Sequence, residues 1–294
     1  MALRSDDQGI SKVLKKPLLN REWHREPEFM SILKEYLNKD EIFFDLGCNI
    51  GYVSLFVLKN ISSNGYLYAI DPDKKNIFAL KESIKRNKLG NNFSTEVLAM
   101  SSEDGEIGFE FSNKSNLHKI NNKLSKNDPS YKLITSKKFD SYFSNKSLPN
   151  FIKMDVEGAE IEILIGMKHF IESSHKCKIL MELHPQKYND ENYEKSFELL
   201  FKNGFKVKKF ITSSRAYNHP LLKGRFVPSQ IVKSGPFSRA VYDDFPEEYF
   251  RKAVLNKIPF KARSNFISYL KKPQFIFKPY LKTKKLARAA LFIR

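Results

Sequence analysis

The most constraining feature of this sequence is an alternation of short apolar runs with helical segments, in which most runs end in an acidic residue. Short apolar runs are typical of buried strands, and their alternation with helices indicates a mainly parallel sheet with right-handed crossovers. The sequence therefore predicts an α/β fold. The predicted strands are EIFFDLG, GYLYAIDPD, FSTEVLAM, LPNFIKMD, CKILMELH and FKVKKFI. The predicted helices include EFMSILKEYL, YVSLFVLKN, KKNIFALKESIKRNKLG, GAEIEILIGMKHFIES and ENYEKSFELLFKNG.

The polar ends of these strands fall where such sheets bind ligands. Asp45, Asp71 and Asp155 end three strands, and Glu182 and His184 end a fourth. Ligands bind beyond the carboxyl ends of parallel strands, so we expect these side chains to meet at one edge of the sheet. Glu182 and His184 share one face of their strand because residues i and i+2 point the same way.

A glycine-containing loop follows the first predicted strand. Gly47 and Gly51 permit a tight turn and a close approach of the backbone to a ligand. Asn49 stands where a dinucleotide fingerprint needs glycine, and no Lys-Ser/Thr pair follows Gly51 to make a phosphate loop. Asp71 ends the next strand, where a carboxylate can bind ribose hydroxyls. The pattern favours a ligand with an amine or a sulfonium cation, such as S-adenosylmethionine.

Composition narrows the cellular setting. The 41% apolar and 29% charged residues are those of a globular chain. Two cysteines are too few for a disulfide framework or a cysteine zinc site, which favours a reducing compartment. No run approaches the roughly 18 apolar residues of a membrane span, and the N-terminus is acidic where a secretory signal is apolar. We therefore expect a cytoplasmic protein.

The net charge of +18 is concentrated near the C-terminus, since residues 251–294 hold 13 basic residues and no acidic ones. Residues 279–294 could form a basic amphipathic helix, with Leu281, Leu286, Ala290 and Ile293 roughly in line. Three interpretations of this tail stay open. It packs on the fold or is solvated, it adsorbs to an anionic membrane surface so that the protein is peripheral there, or, less favoured, it binds nucleic acid.

Five segments together resemble the FkbM family of S-adenosylmethionine-dependent methyltransferases over roughly residues 41–211. They are DLGCNIGYVSL, AIDPDKKNIFAL, VLAMSSEDG, LPNFIKMDVEGAEIEIL and ILMELH. The resemblance implies a Rossmann-like class I fold with a mainly parallel seven-stranded sheet and helices on both faces, and O-methylation, often of sugar hydroxyls. The cofactor contacts that it implies are Asp45, Gly47, Asn49, Gly51, Asp71 and, more loosely, Ser101.

The chain then divides into three parts. Residues 1–40 are expected to be a helical lead-in, residues 41–212 the S-adenosylmethionine-binding domain, and residues 213–294 a basic C-terminal extension. The resemblance does not reach the extension, which inherits nothing from the family.

Methyl transfer to a sugar hydroxyl needs a general base or a metal, because the hydroxyl is a poor nucleophile at neutral pH. Asp155 and Glu157 are the first candidates, and Glu182 and His184 could join them in an acid–base cluster or a hard-metal site. Lys153 lies on the same strand face as Asp155, which is compatible with a structural ion pair or a catalytic role.

Glu160 has a simpler interpretation, because an acidic side chain in a first helical turn favours the helix dipole.

The predicted function is O-methylation of a saccharide or a related hydroxyl compound. An RNA methyltransferase is one alternative, suggested by the tail, and a non-catalytic cofactor-binding scaffold is another. Asp155-Val-Glu-Gly stands where amino-methylating nucleic-acid enzymes have a D/N-P-P-Y/F motif, which counts against base N-methylation.

Overall fold

A computed structural model gives two sheets, one large and one small. The residues that the structure describes are 1–19, 26–112, 114, 119–120, 128–144, 146–173, 175–188, 190–213, 216–234, 237–255 and 286–294. The strands of the large sheet are β1 (Ile42–Leu46), β2 (Tyr66–Ile70), β3 (Phe93–Glu96), β8 (Phe151–Met154), β9 (Lys178–Glu182), β10 (Lys206–Thr212), β11 (Gln230–Ser234), β12 (Phe237–Asp243) and β13 (Ala287–Ile293). The small sheet has β4 (Ala99–Ser101), β5 (Gly105–Glu110), β6 (Lys119–Ile120) and β7 (Tyr131–Lys138).

The large sheet has a parallel half and an antiparallel half. Its order across the described strands is β11-β12-β10-β13-β9-β8-β1-β2-β3. The pairs from β9 to β3 are parallel, and those from β9 to β11 are antiparallel. The Rossmann-like arrangement expected from the sequence is therefore present, but the expectation of seven mainly parallel strands is wrong. The sheet is mixed because β13 enters it antiparallel and β11 and β12 extend one edge.

β13 corrects the interpretation of the C-terminal tail. Ala287–Ile293 is a strand between β9 and β10, with both faces largely buried, and not part of an amphipathic helix. Its Ala, Leu and Arg residues have high helix propensity, which the surrounding sheet overrides. Strands from both sides of residue 212 thus pair in one sheet. Residues 256–285, including Leu281, lie outside the described residues, so a membrane role for the tail stays a prediction.

Helices cover both faces of the large sheet, as expected. On one face are α1 (Ile10–Leu19), α2 (Pro27–Tyr36), α3 (Tyr52–Asn60) and α4 (Lys74–Arg86). On the other are α5 (Phe139–Phe143), α6 (Glu160–Gly166), α7 (Lys168–Glu172), α8 (Asp190–Lys202) and α9 (Glu247–Leu255). Adjacent residues of β1 belong to opposite cores: Phe43 packs with the first group and Phe44 with the second. This alternation is what a strand buried on both faces requires.

Two predicted elements are divided in the structure. FSTEVLAM contributes β3 to the large sheet and β4 to the small one. The helix predicted over 158–173 is split at Met167 into α6 and α7. Across the described residues, no helix combines the length and the apolar character that crossing a membrane would need.

Candidate functional site

The loop after β1 forms the floor of a cleft at the carboxyl ends of β1, β2 and β8. Gly47 has a φ of +74°, and a Cβ there would lie 2.0 Å from the carbonyl oxygen of Asp155. Gly51 has a φ of +89°, and a Cβ there would lie 2.3 Å from Cδ1 of Leu80. Packing within the protein therefore requires both glycines, in addition to any room that they leave for a ligand.

Asp45 and Lys153 support this loop from beneath. The Asp45 carboxylate is buried, accepts a hydrogen bond from Ser54 Oγ at 2.6 Å and lies 3.0 Å from Lys153 Nζ. Lys153 Nζ also donates to the carbonyl oxygen of Gly47 at 2.9 Å. Burial acts to lower the pKa of Lys153, but the Asp45 and Asp155 carboxylates outweigh it and raise the pKa. The lysine is thus a charged brace between β8 and the glycine loop.

Asp71, at the end of β2, lines the cleft and is held by three hydrogen-bond donors. Its Oδ2 accepts from the backbone N–H of Asn49 at 2.8 Å, and its Oδ1 accepts from the backbone N–H of Asp73 at 2.8 Å and from Asn76 Nδ2 at 3.0 Å. Burial raises the pKa of Asp71, and these donors oppose that effect. A carboxylate has about four acceptor positions, so a ligand hydroxyl can still be accepted.

Asn49 joins the loop to Asp71 through its backbone. It has a φ of +50°, a conformation that asparagine tolerates better than most residues. Its side-chain Oδ1 accepts from the N–H of Ile50 at 2.8 Å, which fixes the turn. Ser101 occupies a different place: its carbonyl oxygen faces α6, 2.1 Å from where a Cβ on Gly166 would stand. Leu98, Ala99 and Met100, just before it, line the cleft instead.

A second group of side chains meets beyond the ends of β8 and β9. His184 is buried, and its Nδ1 lies 2.9 Å from Oε1 of Glu160, which is fully buried. His184 Nε2 faces the other way, 3.5 Å from both Glu157 Oε2 and Glu182 Oε1. Glu160 therefore orients the imidazole, and the helix-dipole interpretation does not account for this contact. The sequence signal nearest to this pair is the segment KMDVEGAE of the family resemblance, which contains Glu160.

Asp155, Glu157 and His184 form the group most able to hold a metal ion in the part of the chain that the structure describes. One ligand atom from each lies within 4.8 Å of the others, and carboxylates with an imidazole suit a divalent cation. Lys187 Nζ already donates to Glu157 Oε2 at 2.8 Å. A metal ion at this cluster would have to compete with that ammonium for Glu157.

Residues from the two ends of the chain complete the cleft. Ile10 and Glu26 line it from the N-terminal side, and Arg288 lines it from β13. The Arg288 guanidinium contacts Glu182 through Nη1 and lies 3.7 Å from Glu26 Oε1 through Nη2. These three residues were not predicted from the sequence, because no local motif links them to the strand ends.

Comparison with known proteins assigns the central part of the chain. Residues 45–207, more than half of the chain, match the family model described as "Methyltransferase FkbM domain". Hexuronic acid methyltransferase AglP from Haloferax volcanii is 27% identical over 171 residues, which are 56% of this chain and 64% of that protein. The chain thus spans less than two thirds of the length of this relative.

Solved structures of similar arrangement share little sequence with the chain. A putative rRNA-methylase from Clostridium thermocellum has 11% identity and a TM-score of 0.41, with 76% of this chain and 98% of that one covered. A SAM-dependent methyltransferase from Aquifex aeolicus has 15% identity and a TM-score of 0.36, with 75% and 90% covered.

Proposed function

Because the chain belongs to the FkbM family of S-adenosylmethionine-dependent methyltransferases, we propose that it transfers a methyl group to a hydroxyl of a saccharide. The relative that is named as a hexuronic acid methyltransferase supports a sugar acceptor. The observation that carries the proposal is the Glu160–His184 pair, because the second imidazole nitrogen lies 3.5 Å from Glu157 and Glu182, which line the cleft. Such a group serves hydroxyl deprotonation, which O-methylation needs.

The cleft offers what S-adenosylmethionine requires. Asp71 would accept a hydrogen bond from the ribose, the loop carrying Asn49 would pass beneath the cofactor, and Leu98 and Met100 would give an apolar wall for the adenine. When bound, the cofactor supplies an electrophilic methyl group on its sulfonium. The acidic residues around the cleft suit that positive charge.

Hydroxyl activation falls to Asp155 and His184. Asp155 lies at the cleft wall and would accept the hydrogen bond of the acceptor hydroxyl. The hydroxyl proton would pass first to Asp155 and then to His184, directly or through one water, since the ligand atoms of the two side chains lie within 4.8 Å of each other. Glu160 would keep the hydrogen of the neutral imidazole on Nδ1, so that Nε2 is the basic atom. Holding the acceptor in line with the methyl group accounts for much of the remaining rate enhancement.

The acceptor side of the cleft also contains a cation. Arg288 presents a guanidinium that is held by Glu182 and faces Glu26 across 3.7 Å. Guanidinium groups recognise carboxylates through paired hydrogen bonds, as an acidic sugar would need. A uronic acid could take the place of Glu26, the more distant of the two carboxylates, and we therefore propose it as the acceptor ahead of a neutral hexose.

The test is methyl transfer from labelled S-adenosylmethionine to uronic acid glycosides, neutral hexose glycosides and RNA. We expect transfer to a saccharide, with the uronic acid preferred. Methylation of RNA alone would establish the nucleic-acid alternative, and cofactor binding without turnover on any cellular glycan would establish the scaffold alternative. Mass spectrometry of cellular glycans with and without the protein would identify the natural acceptor.

Glu160→Gln sharpens the test of mechanism. It keeps the shape of the side chain but removes the charge that fixes the imidazole, so turnover should fall roughly 10–100-fold, part of the usual worth of acid–base help. Glu162→Gln, on the same helical turn, is the matched control and should keep most of the activity. Equal turnover in the two variants would show that the charge of Glu160 is not needed for the role of His184.

A further inference from the structure

Residues 1–10 form an N-terminal arm that lies against α4. The arm lies outside residues 45–207, which match the family model. The backbone N–H of Ala2 donates to Ser83 Oγ at 2.7 Å, and Lys75 Nζ donates to Asp6 Oδ2 at 2.6 Å. The Asp7 carboxylate accepts from the N–H groups of Gly9 and Ser11, both at 2.7 Å. The arm is therefore fixed at several points, and Ile10 at its end lines the cleft.

Arg4 is the residue of the arm that extends toward Asp71, the carboxylate that we propose to bind the ribose. Its Nη1 donates to Asp73 Oδ2 and to Asn76 Oδ1, both at 2.6 Å. Its Nε donates to Asp6 Oδ1 at 3.1 Å, which holds the guanidinium in place. The Arg4 side chain is only 11% exposed, so these charge-assisted bonds are shielded from solvent.

The two residues that Arg4 binds are also two of the donors to Asp71. The backbone N–H of Asp73 and Nδ2 of Asn76 both donate to Asp71 Oδ1. Asn76 is fully buried, and its amide has one oxygen and one nitrogen to direct. With its oxygen bound to Arg4, its nitrogen must face Asp71. Without Arg4, the amide oxygen loses its charged donor, and only the bond from Nδ2 to Asp71 still fixes the amide.

We propose that Arg4 is a positioning residue for cofactor binding, which acts through Asn76 and Asp73 to hold Asp71 ready for the ribose. The proposal rests on the proposed function, because it takes Asp71 as the ribose ligand. It makes the N-terminal arm part of the cofactor site. The expected effect lies in the affinity for the cofactor and not in the rate of methyl transfer.

The experiment is calorimetric titration with S-adenosylhomocysteine, a stable stand-in for the cofactor. Arg4→Met keeps the aliphatic packing and removes every donor, and we expect the Kd to rise roughly 5–30-fold. At saturating cofactor, kcat should stay near that of the wild type, while the KM for the cofactor rises. Lys75→Met is the matched control: it also releases an arm contact but leaves the bonds to Asp71 intact, so its Kd should change less than about twofold.

A second ligand separates positioning from a merely structural role. An S-adenosylhomocysteine analogue without ribose hydroxyls cannot use Asp71, so the wild type and Arg4→Met should bind it equally weakly. The effects of Arg4→Met and Asp71→Asn on the Kd should also be non-additive. An equal loss for both ligands, or an unchanged Kd for S-adenosylhomocysteine, would overturn the proposal. If Arg4→Met fails to fold, Arg4→Lys should show a smaller rise in Kd.

The proposed function fails separately from this inference. If the wild type does not bind S-adenosylhomocysteine at all, the assignment of the cofactor is wrong. If the wild type binds it and Arg4→Met binds it equally well, only the role of Arg4 is wrong.

Discussion

The cleft has two halves, one that we propose for the cofactor and one that we propose for the acceptor, and they are built in different ways. The cofactor half comes from short contiguous stretches, in which backbone N–H groups and glycine conformations set the shape around Asp71. The acceptor half is lined by charged side chains from distant segments, among them Glu26, Glu182 and Arg288. The buried pair of His184 and Glu160 lies next to it and contacts Glu157 and Glu182 through His184. A site shaped by the backbone is hard to alter by single substitutions and suits a cofactor that does not vary. A site shaped by side chains can be altered by one substitution at a time. We therefore expect acceptor choice to change more easily than cofactor binding.

The largest effect should come from the acceptor half. Asp155→Asn keeps the shape of the side chain and removes its charge, so turnover should fall on the order of 10²–10⁴-fold. Cofactor affinity should change little, because Asp71, which we propose to bind the ribose, follows another strand. His184→Ala should give a similar loss if it is the base and a smaller one if it only orients the acceptor. A chelator that abolishes wild-type turnover would show that the cluster holds a metal ion, and near-wild-type rates in both variants would leave it a structural role.

Gly47→Ala should distort both halves of the cleft, because Gly47 in the loop of the cofactor half packs against the backbone of Asp155 in the acceptor half. The added Cβ would meet the carbonyl oxygen of Asp155, so we expect the free energy of unfolding to fall by about 2–4 kcal/mol from strain and overpacking. Gly224 has a φ of +76° and open space for a Cβ, so Gly224→Ala isolates the backbone strain. Denaturant titration of both variants gives the cost of the clash, and equal losses would show that contact to be unimportant.

Asp71→Ala should act on the cofactor half alone. Loss of a hydrogen bond to a charged group costs ~1.5–3 kcal/mol, which we expect as weaker S-adenosylmethionine binding in calorimetry. NAD should not bind appreciably to either protein. Asp155→Asn serves as the control for a charge lost on the opposite side of the cleft. Equal affinity of Asp71→Ala and the wild type would remove Asp71 from the cofactor site.

The smallest effect is expected at Arg288. Arg288→Met should raise the KM for an acidic sugar roughly 3–10-fold, because an ion pair between the guanidinium and the sugar carboxylate is lost in a partly solvated site. The Kd of the cofactor should stay unchanged. Arg251→Met removes an arginine whose ion pairs lie outside the cleft, and it should change neither constant. A rise in the cofactor Kd with Arg288→Met would show that the two halves of the cleft are coupled.

Local sequence patterns predicted the parallel strands that end at the cleft well, and the long-range contacts around it only in part. The strands over 42–46, 66–70, 151–154, 178–182 and 206–212 are confirmed, because buried apolar runs between turn residues have few alternatives. β13 was mistaken for a helix because Ala, Leu and Arg favour helices when sheet neighbours are unknown. The helix dipole was a sufficient local explanation for Glu160, so its contact with His184 could not be anticipated.

The residues from the chain ends could not have been predicted at all. Ile10, Glu26 and Arg288 reach the cleft only through the packing of complete elements, and no spacing in the sequence connects them. The same holds for Arg4, whose partners Asp73 and Asn76 are about seventy positions away along the chain. Long-range contacts of this kind are set by tertiary structure and not by local propensity.

The position of β13 has a consequence for how the chain folds during synthesis. β13 is made last of the described strands, yet it lies between β9 and β10, both of which are made earlier. Until Ile293 has left the ribosome, the two flanking strands have no partner between them and expose unpaired backbone edges. Closing such a gap is a slow, non-local step, and the waiting edges favour aggregation. The nascent protein should therefore depend on chaperones for longer than one whose central strands are translated first.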